Sequence, residues 1–312
     1  MEEKLFKVPI VLIFYKRVDT TEKVINSIRQ VKPERVYLIA DAPKQGYPEE
    51  KEKVKQTRLL VEKAIDWPCE IKRNYAEINM GCKKRVESGI SWVFEQEEEA
   101  IIIEDDIVPS IDFYYFCQDM LERYRNNPEV LMVSGYKNVE YYQSKDQYLF
   151  SAFSSIWGWA TWRRAWKLYD KDLSTWKENK RKGTLKWLMK FPSLLWVYWN
   201  IEYTYRKEID TWDFGWNYAR SINRGLGVVP SVNMIENIGF NSEDATHTKG
   251  VKPRDFSYGE FSFPIKEIPV IRDRKYDKEY IRLFYNGPKA VLMLIKKSLF
   301  YIIRKVFCFK KK

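Results

Sequence analysis

The sequence predicts an α/β fold in which a mostly parallel, doubly wound central sheet is flanked by helices. Three observations predict it. Short apolar segments of strand length alternate with longer amphipathic segments through the N-terminal third. One of these, Ala100-Ile101-Ile102-Ile103, is apolar at consecutive positions, as a strand buried on both faces must be. It ends in Glu104-Asp105-Asp106, and open α/β sheets gather ligands at the carboxyl ends of their strands.

The elements follow in order. Residues 8–15 form the first buried strand. Asp19-Thr20-Thr21-Glu22 brings acids and hydroxyls to a helix start ahead of Val24, Ile25 and Ile28. Residues 35–40 make a second strand ending at Asp41, 49–65 a polar amphipathic helix, 70–75 a third strand and 81–97 another helix, before the strand with the acidic triplet. Right-handed crossovers set these strand ends on one edge. Further on, 113–125 reads as a helix, 130–134 as a strand and 147–153 as part of a hairpin. Residues 159–169 and 185–206 read as helices dense in Trp, 213–223 as a helix closed by Gly225, 227–232 as a strand and 242–264 as a loop. We expect one domain over 1–287, with a nucleotide half at about 1–108 and an acceptor half at 109–287.

Gly287-Pro288 sets off a tail, 288–312. Eight Lys or Arg and no acid fall in 289–312, so most of the net charge of +11 belongs there and the body is close to neutral. That distribution argues against a nucleic-acid footprint. The tail's apolar runs are too short to span a bilayer; an amphipathic helix on an anionic membrane surface fits their spacing. A charged opening, Met1-Glu2-Glu3-Lys4, and four cysteines without CxxC spacing lead us to expect a cytoplasmic protein, peripheral on the inner face of the membrane. The single histidine, His247, excludes a His-rich metal site. Twelve Trp and 21 Tyr supply a core and leave rings for a sugar or base pocket.

Three tandem carboxylates repel one another and resist desolvation, so a cation is expected beside them. Oxygen ligands suit magnesium or manganese. Helix capping accounts for Ser110 or Asp112 but not for the triplet.

These short motifs stand in an order that resembles GT-A-fold, nucleotide-sugar-dependent glycosyltransferases over most of residues 8–250. The similarity is to the inverting N-acetylglucosaminyltransferase I type and to bacterial family-2-like proteins. It rests on Ile13-Phe14-Tyr15-Lys16-Arg17, Ile39-Ala40-Asp41 and Ile102-Ile103-Glu104-Asp105-Asp106 with Pro109 and Phe113-Tyr114-Tyr115-Phe116 behind it. Asn127 to Gly135, Ile156-Trp157-Gly158-Trp159-Ala160 and Thr211-Trp212-Asp213-Phe214-Gly215-Trp216 complete it. The chain departs from the family in the last motif, where Asp213 lies between Trp212 and Phe214 and not beside a second acid.

The resemblance implies Arg17 near the nucleotide, Asp41 at the uracil and Trp159 under the donor sugar. It also implies Asp106 as the ligand of Mn2+ or Mg2+, with Glu104 and Asp105 supporting ribose and sugar hydroxyls. The implied reaction is inverting transfer from a nucleotide-diphosphate sugar, UDP-linked, to a hydroxyl, and the membrane placement expected of the tail suits a glycan or lipid-linked acceptor in bacterial surface polysaccharide synthesis. An inverting transfer needs a general base opposite the leaving phosphate. Asp213 is the candidate, with Asp210 as the fallback, and an N-cap role for Asp213 is the plainer alternative. His247 is a candidate metal or diphosphate contact or an ordinary surface residue. Lys83, behind the helix start at Gly81, and Lys249 are candidates for phosphate. No P-loop occurs. Competing readings are a catalytically silent nucleotide-sugar or glycan binder and a sugar-1-phosphate nucleotidyltransferase. The latter opens with a Gly-rich loop where this chain has Lys16-Arg17-Val18-Asp19-Thr20.

Overall fold

The computed structural model describes residues 5–209, 211–240 and 257–285, and 292, 295 and 296 of the tail. The chain forms β1 (Ile10–Phe14), α1 (Val18–Arg29), β2 (Arg35–Ala40), α2 (Pro48–Ala64), β3 (Glu70–Tyr75), α3 (Cys82–Phe94) and β4 (Glu99–Glu104). Next come β5 (Ile107–Pro109), α4 (Ile111–Tyr124), β6 (Val130–Ser134), β7 (Tyr148–Ser151), β8 (Trp159–Trp162), α5 (Arg163–Trp166) and α6 (Trp176–Lys182). After a 3-10 turn at Thr184–Trp187 follow α7 (Ser193–Tyr205), α8 (Asp213–Ile222), β9 (Leu226–Pro230), β10 (Ile235–Asn237) and α9 (Arg274–Phe284).

Eight strands form one sheet in the order β3-β2-β1-β4-β8-β6-β9-β7, and β5 and β10 form a separate two-stranded ribbon. The first four strands run parallel, with β1 between β2 and β4. All five residues of β1 are buried, as are Ile101, Ile102 and Ile103. Burying each such side chain contributes about 1.5–3 kcal/mol against the entropy of ordering the chain. The register sets Ile13 level with Glu104, so the acidic triplet and the β1–α1 connector leave the sheet side by side. One hydrophobic cluster runs from β1 and β4 through Phe113 and Trp159 to Trp216 and Val228.

Three readings from the sequence need correction. Residues 159–162 are not helical but form β8, antiparallel to both β4 and β6 in mid-sheet. Every residue of β8 is buried, so Trp on both faces of a strand produced a density that mimics a helix. The predicted helix over 185–206 is interrupted before α7, because Pro192 lacks an amide donor and cannot continue a helix. The 147–153 segment makes no local hairpin; β7 pairs antiparallel with β9 from far along the chain. The tail expected to be an amphipathic helix lies outside the described residues apart from 292, 295 and 296, as do 241–256 of the expected loop. Among the described residues no helix is long and apolar enough to cross a membrane.

Candidate active site at the strand ends

The site is built where β1 and β4 stop. The backbone N–H of Tyr15 donates to Asp105 Oδ2 at 3.1 Å. Arg17 Nη1 lies 2.7 Å from Asp106 Oδ2 and 3.3 Å from Asp105 Oδ1. The sequence calls for a cation against the triplet, and in the structure a guanidinium from the neighbouring strand end stands there. Asp105 is buried and so holds the β1–α1 connector in place. Glu104 and Asp106 are half-buried at the end of β4.

Glu104 is poorly supported. Burial, then Asp106 and Asp105, and also Asp213, push its carboxyl up to about 8, with Arg17 opposing. The influence of Asp213 matters for the geometry. It brings the carboxylate at the start of α8 into the same electrostatic environment as the end of β4.

The segment after β10 closes over Asp106. The Ile238 N–H donates to the Asp106 carbonyl at 2.9 Å, and a Cβ on Gly239 would fall 2.3 Å from Asp106 Oδ2. Only glycine lets the backbone approach so near. The buried Asn237 side chain accepts from Gly239 N–H at 2.9 Å and fixes that turn. Sequence reasoning missed Asn237 and Gly239; the readable signal was a glycine two residues after an asparagine at a strand end.

Asp213 opens α8. Its Oδ1 accepts from the Phe214 N–H at 2.9 Å and from the Thr211 hydroxyl. Trp212 stacks on Trp159 with centroids 5.6 Å apart, Trp166 packs against both rings, and Trp216 packs against Trp159 and Trp166. Trp159 is fully buried, which corrects its expected place under the donor sugar: it supports the start of α8 from below. The ring of that segment near the surface is Trp157, half-buried between Tyr136 and Phe240.

Tyr169, also missed, ties α5 and α8 to α3. Its ring stacks on Trp166 at 4.5 Å and its hydroxyl donates to Glu87 of α3. A Cβ on Gly215 would meet that ring at 3.1 Å. Lys83 Nζ lies 4.0 Å from Glu87, so this candidate phosphate contact already faces an acid. Asp41 is buried, and its carboxylate accepts from the N–H groups of Ala42, Met80 and Gly81, each at 2.9 Å. It is committed to holding the turn before α3, which corrects its expected contact with uracil. Gly81, at φ +79°, permits that turn. Asp210, His247 and Lys249 lie outside the described residues.

Among the described residues no group of three His, Cys, Asp or Glu could hold a metal ion. Asp106 and Glu104 offer two half-buried carboxylates at the same strand end. Such a donor pair fits magnesium or manganese when phosphate oxygens complete the shell.

No family model and no curated protein matches the sequence. Solved structures similar to it include HddC from Yersinia pseudotuberculosis, at 8% identity over 50% of this chain and 77% of that one, with a TM-score of 0.32. Another is 4-diphosphocytidyl-2C-methyl-D-erythritolsynthase from Anaerococcus prevotii DSM 20548, at 13% identity over 54% and 76%, with a TM-score of 0.33. An apo UDP-glucose pyrophosphorylase matches at 8% identity over 74% and 93%, with a TM-score of 0.37. Likenesses this distant carry no assignment of function.

Proposed function

We propose that the chain is a glycosyltransferase that uses a nucleotide-diphosphate sugar, UDP-linked, and transfers the sugar to a hydroxyl of a glycan or lipid-linked acceptor. One arrangement supports this reading: the acidic triplet and Arg17 meet at the ends of β1 and β4, and the charge of Asp213 acts on Glu104 of the triplet.

Sugar transfer from such a donor breaks the anomeric C–O bond and leaves charge on the diphosphate. Asp106, with Glu104 beside it, would hold a divalent ion, which supplies neutralisation of that charge when bound. Arg17 stands against the same carboxylate and offers a planar, permanently charged donor set to phosphate oxygens. Asp213 accepts the proton of the attacking hydroxyl. It stands at a helix start braced by aromatic rings, and its charge acts on Glu104 of the triplet. Tyr169 and Gly215 keep α8 and α3 in fixed relation around it.

A sugar-1-phosphate nucleotidyltransferase is the competing enzyme reading, and UDP-glucose pyrophosphorylase, one of the solved structures above, belongs by name to that class. The connector favours glycosyl transfer. β1 ends at Phe14 and α1 begins at Val18, which leaves no room for a Gly-rich loop that wraps a triphosphate. The two readings separate by product. Incubated with UDP-sugars and Mn2+, the protein is expected to release UDP together with free or transferred sugar, and Asp213→Asn is expected to suppress that release. Formation of UTP and sugar-1-phosphate on adding pyrophosphate, with no UDP, would establish nucleotidyl transfer. Tight donor binding with neither product would establish a silent binder.

A further inference from the structure

A second electropositive feature lies away from the strand ends. The far end of α8, the segment after the 3-10 turn and the first turns of α9 enclose a cleft of ≈ 830 Å³. Lys186, Lys190, Arg224, Arg274 and Lys278 line it, and all five are exposed. None of them has an ion-pair partner among the described residues, where the acids of this region pair elsewhere.

The one acid in the lining is Asp277, which is 2% exposed. It accepts from Arg272 and from Ser151 Oγ. Arg272 also donates to the carbonyls of Trp187 and Leu188, at 2.7 and 2.9 Å, and lies 4.8 Å over the Trp187 ring. The floor of the cleft is therefore fixed and internally neutral, while the charged side chains of its rim are all cationic. Asp273 caps α9 by accepting from Lys275 and Tyr276 N–H, both at 3.0 Å, and the positive end of the α9 dipole adds to the rim's potential. Five like charges around one opening repel each other, and an anionic ligand relieves that repulsion.

One apolar side chain stands on the same rim and a second is exposed just outside the lining. Phe191 is 76% exposed beside Lys190, and Leu195, 47% exposed, follows one turn into α7. Cations beside exposed aromatic and aliphatic groups are the composition of a surface that lies in a membrane interface. Single-stranded nucleic acid would call for successive open rings, whereas the second ring of the cleft, Trp187, is covered by Arg272. At 1.5 Å per residue the ten-residue α8 puts Arg224 about 15 Å from Asp213. The cleft is thus distinct from the opening at the strand ends, and its reading does not depend on the reaction proposed there.

We propose that this cleft seats phosphate headgroups of an anionic membrane surface, with Phe191 and Leu195 entering the boundary between headgroups and acyl chains. The contact is separate from any made by the basic tail.

Flotation of the full chain with phosphatidylcholine vesicles, and with phosphatidylcholine mixed with phosphatidylglycerol, tests this. The wild type is expected to float only with the anionic vesicles. Neutralising three exposed cations together, Lys190→Gln, Arg274→Gln and Lys278→Gln, is expected to weaken partitioning roughly 100-fold, since each cation near such a surface gives about a fivefold effect. Phe191→Ser is expected to weaken it roughly tenfold, with the melting temperature unchanged in both variants. A parallel variant of the tail, Lys296→Gln, Lys297→Gln and Lys305→Gln, separates the two surfaces. The proposal is overturned if the cleft variant partitions like the wild type while the tail variant does not. It is also overturned if the wild type ignores the anionic vesicles, or binds a single-stranded oligonucleotide in their place.

Discussion

Two carboxylate sites near the end of β1 are treated in opposite ways. Glu50, in the first turn of α2, is 6% exposed and fully supplied: Lys16 donates at 2.7 Å, the Tyr15 hydroxyl at 2.8 Å and the Lys44 N–H at 3.2 Å. Burial alone would raise its pKa, but those donors hold it down at about 2. Glu104 is held up at about 8 by burial and by its acidic neighbours, with Arg17 the cation opposing them. Where a carboxylate serves the fold, this protein surrounds it with donors. Where one is left short of positive charge at a strand end, that deficit can be met by a ligand.

Substitutions can break that contrast, and the largest effect is expected from the proposed base. Asp213→Asn keeps the shape of the side chain and removes its proton affinity, so turnover of a UDP-sugar should fall roughly 10²–10⁴-fold, with UDP affinity in calorimetry nearly unchanged. Asp106→Asn should lower turnover roughly 10²–10³-fold, measured as UDP released at saturating donor. Arg17→Met leaves Asp105 and Asp106 without their counter-charge and should cost about 3 kcal/mol in urea unfolding. Millimolar Mn2+ should recover part of that loss.

Glu50→Gln sharpens the comparison from the other side and should cost about 2 kcal/mol at neutral pH. The sign follows from the depressed pKa in the folded state. The stability given by Glu50 is complete above its ordinary value of 4.5 and is lost as pH falls toward about 2. The wild type should therefore lose its advantage over the variant across that window, and thermal melts in acid would show the two curves converging.

The first 108 residues were readable because their physics is local. β1, β2 and β4 are nearly continuous buried runs, the edge strand β3 is only partly buried, and each helix between them repeats its apolar positions on one face. Beyond Pro109 the pairing is long-range. β8 inserts between β4 and β6, and β7 finds β9 across many residues, which no window of sequence displays. The triplet and Asp213 were legible as chemistry, yet the identity of their neighbours was not. Nothing in Lys16-Arg17-Val18 indicates that the guanidinium reaches two aspartates nearly ninety positions away. Asp41 and Trp159 show the converse: residue types suited to a ligand, placed by the fold on backbone amides and in the core.

The claim on which the rest depends is that the triplet is kept under-neutralised so that a cation and a diphosphate can complete it. Calorimetric titration of UDP into the wild type and Asp106→Asn, with and without Mn2+, measures this directly. Binding by the wild type that requires Mn2+ and weakens at least tenfold in the variant is the predicted result. UDP affinity indifferent to both the metal and the substitution would contradict it.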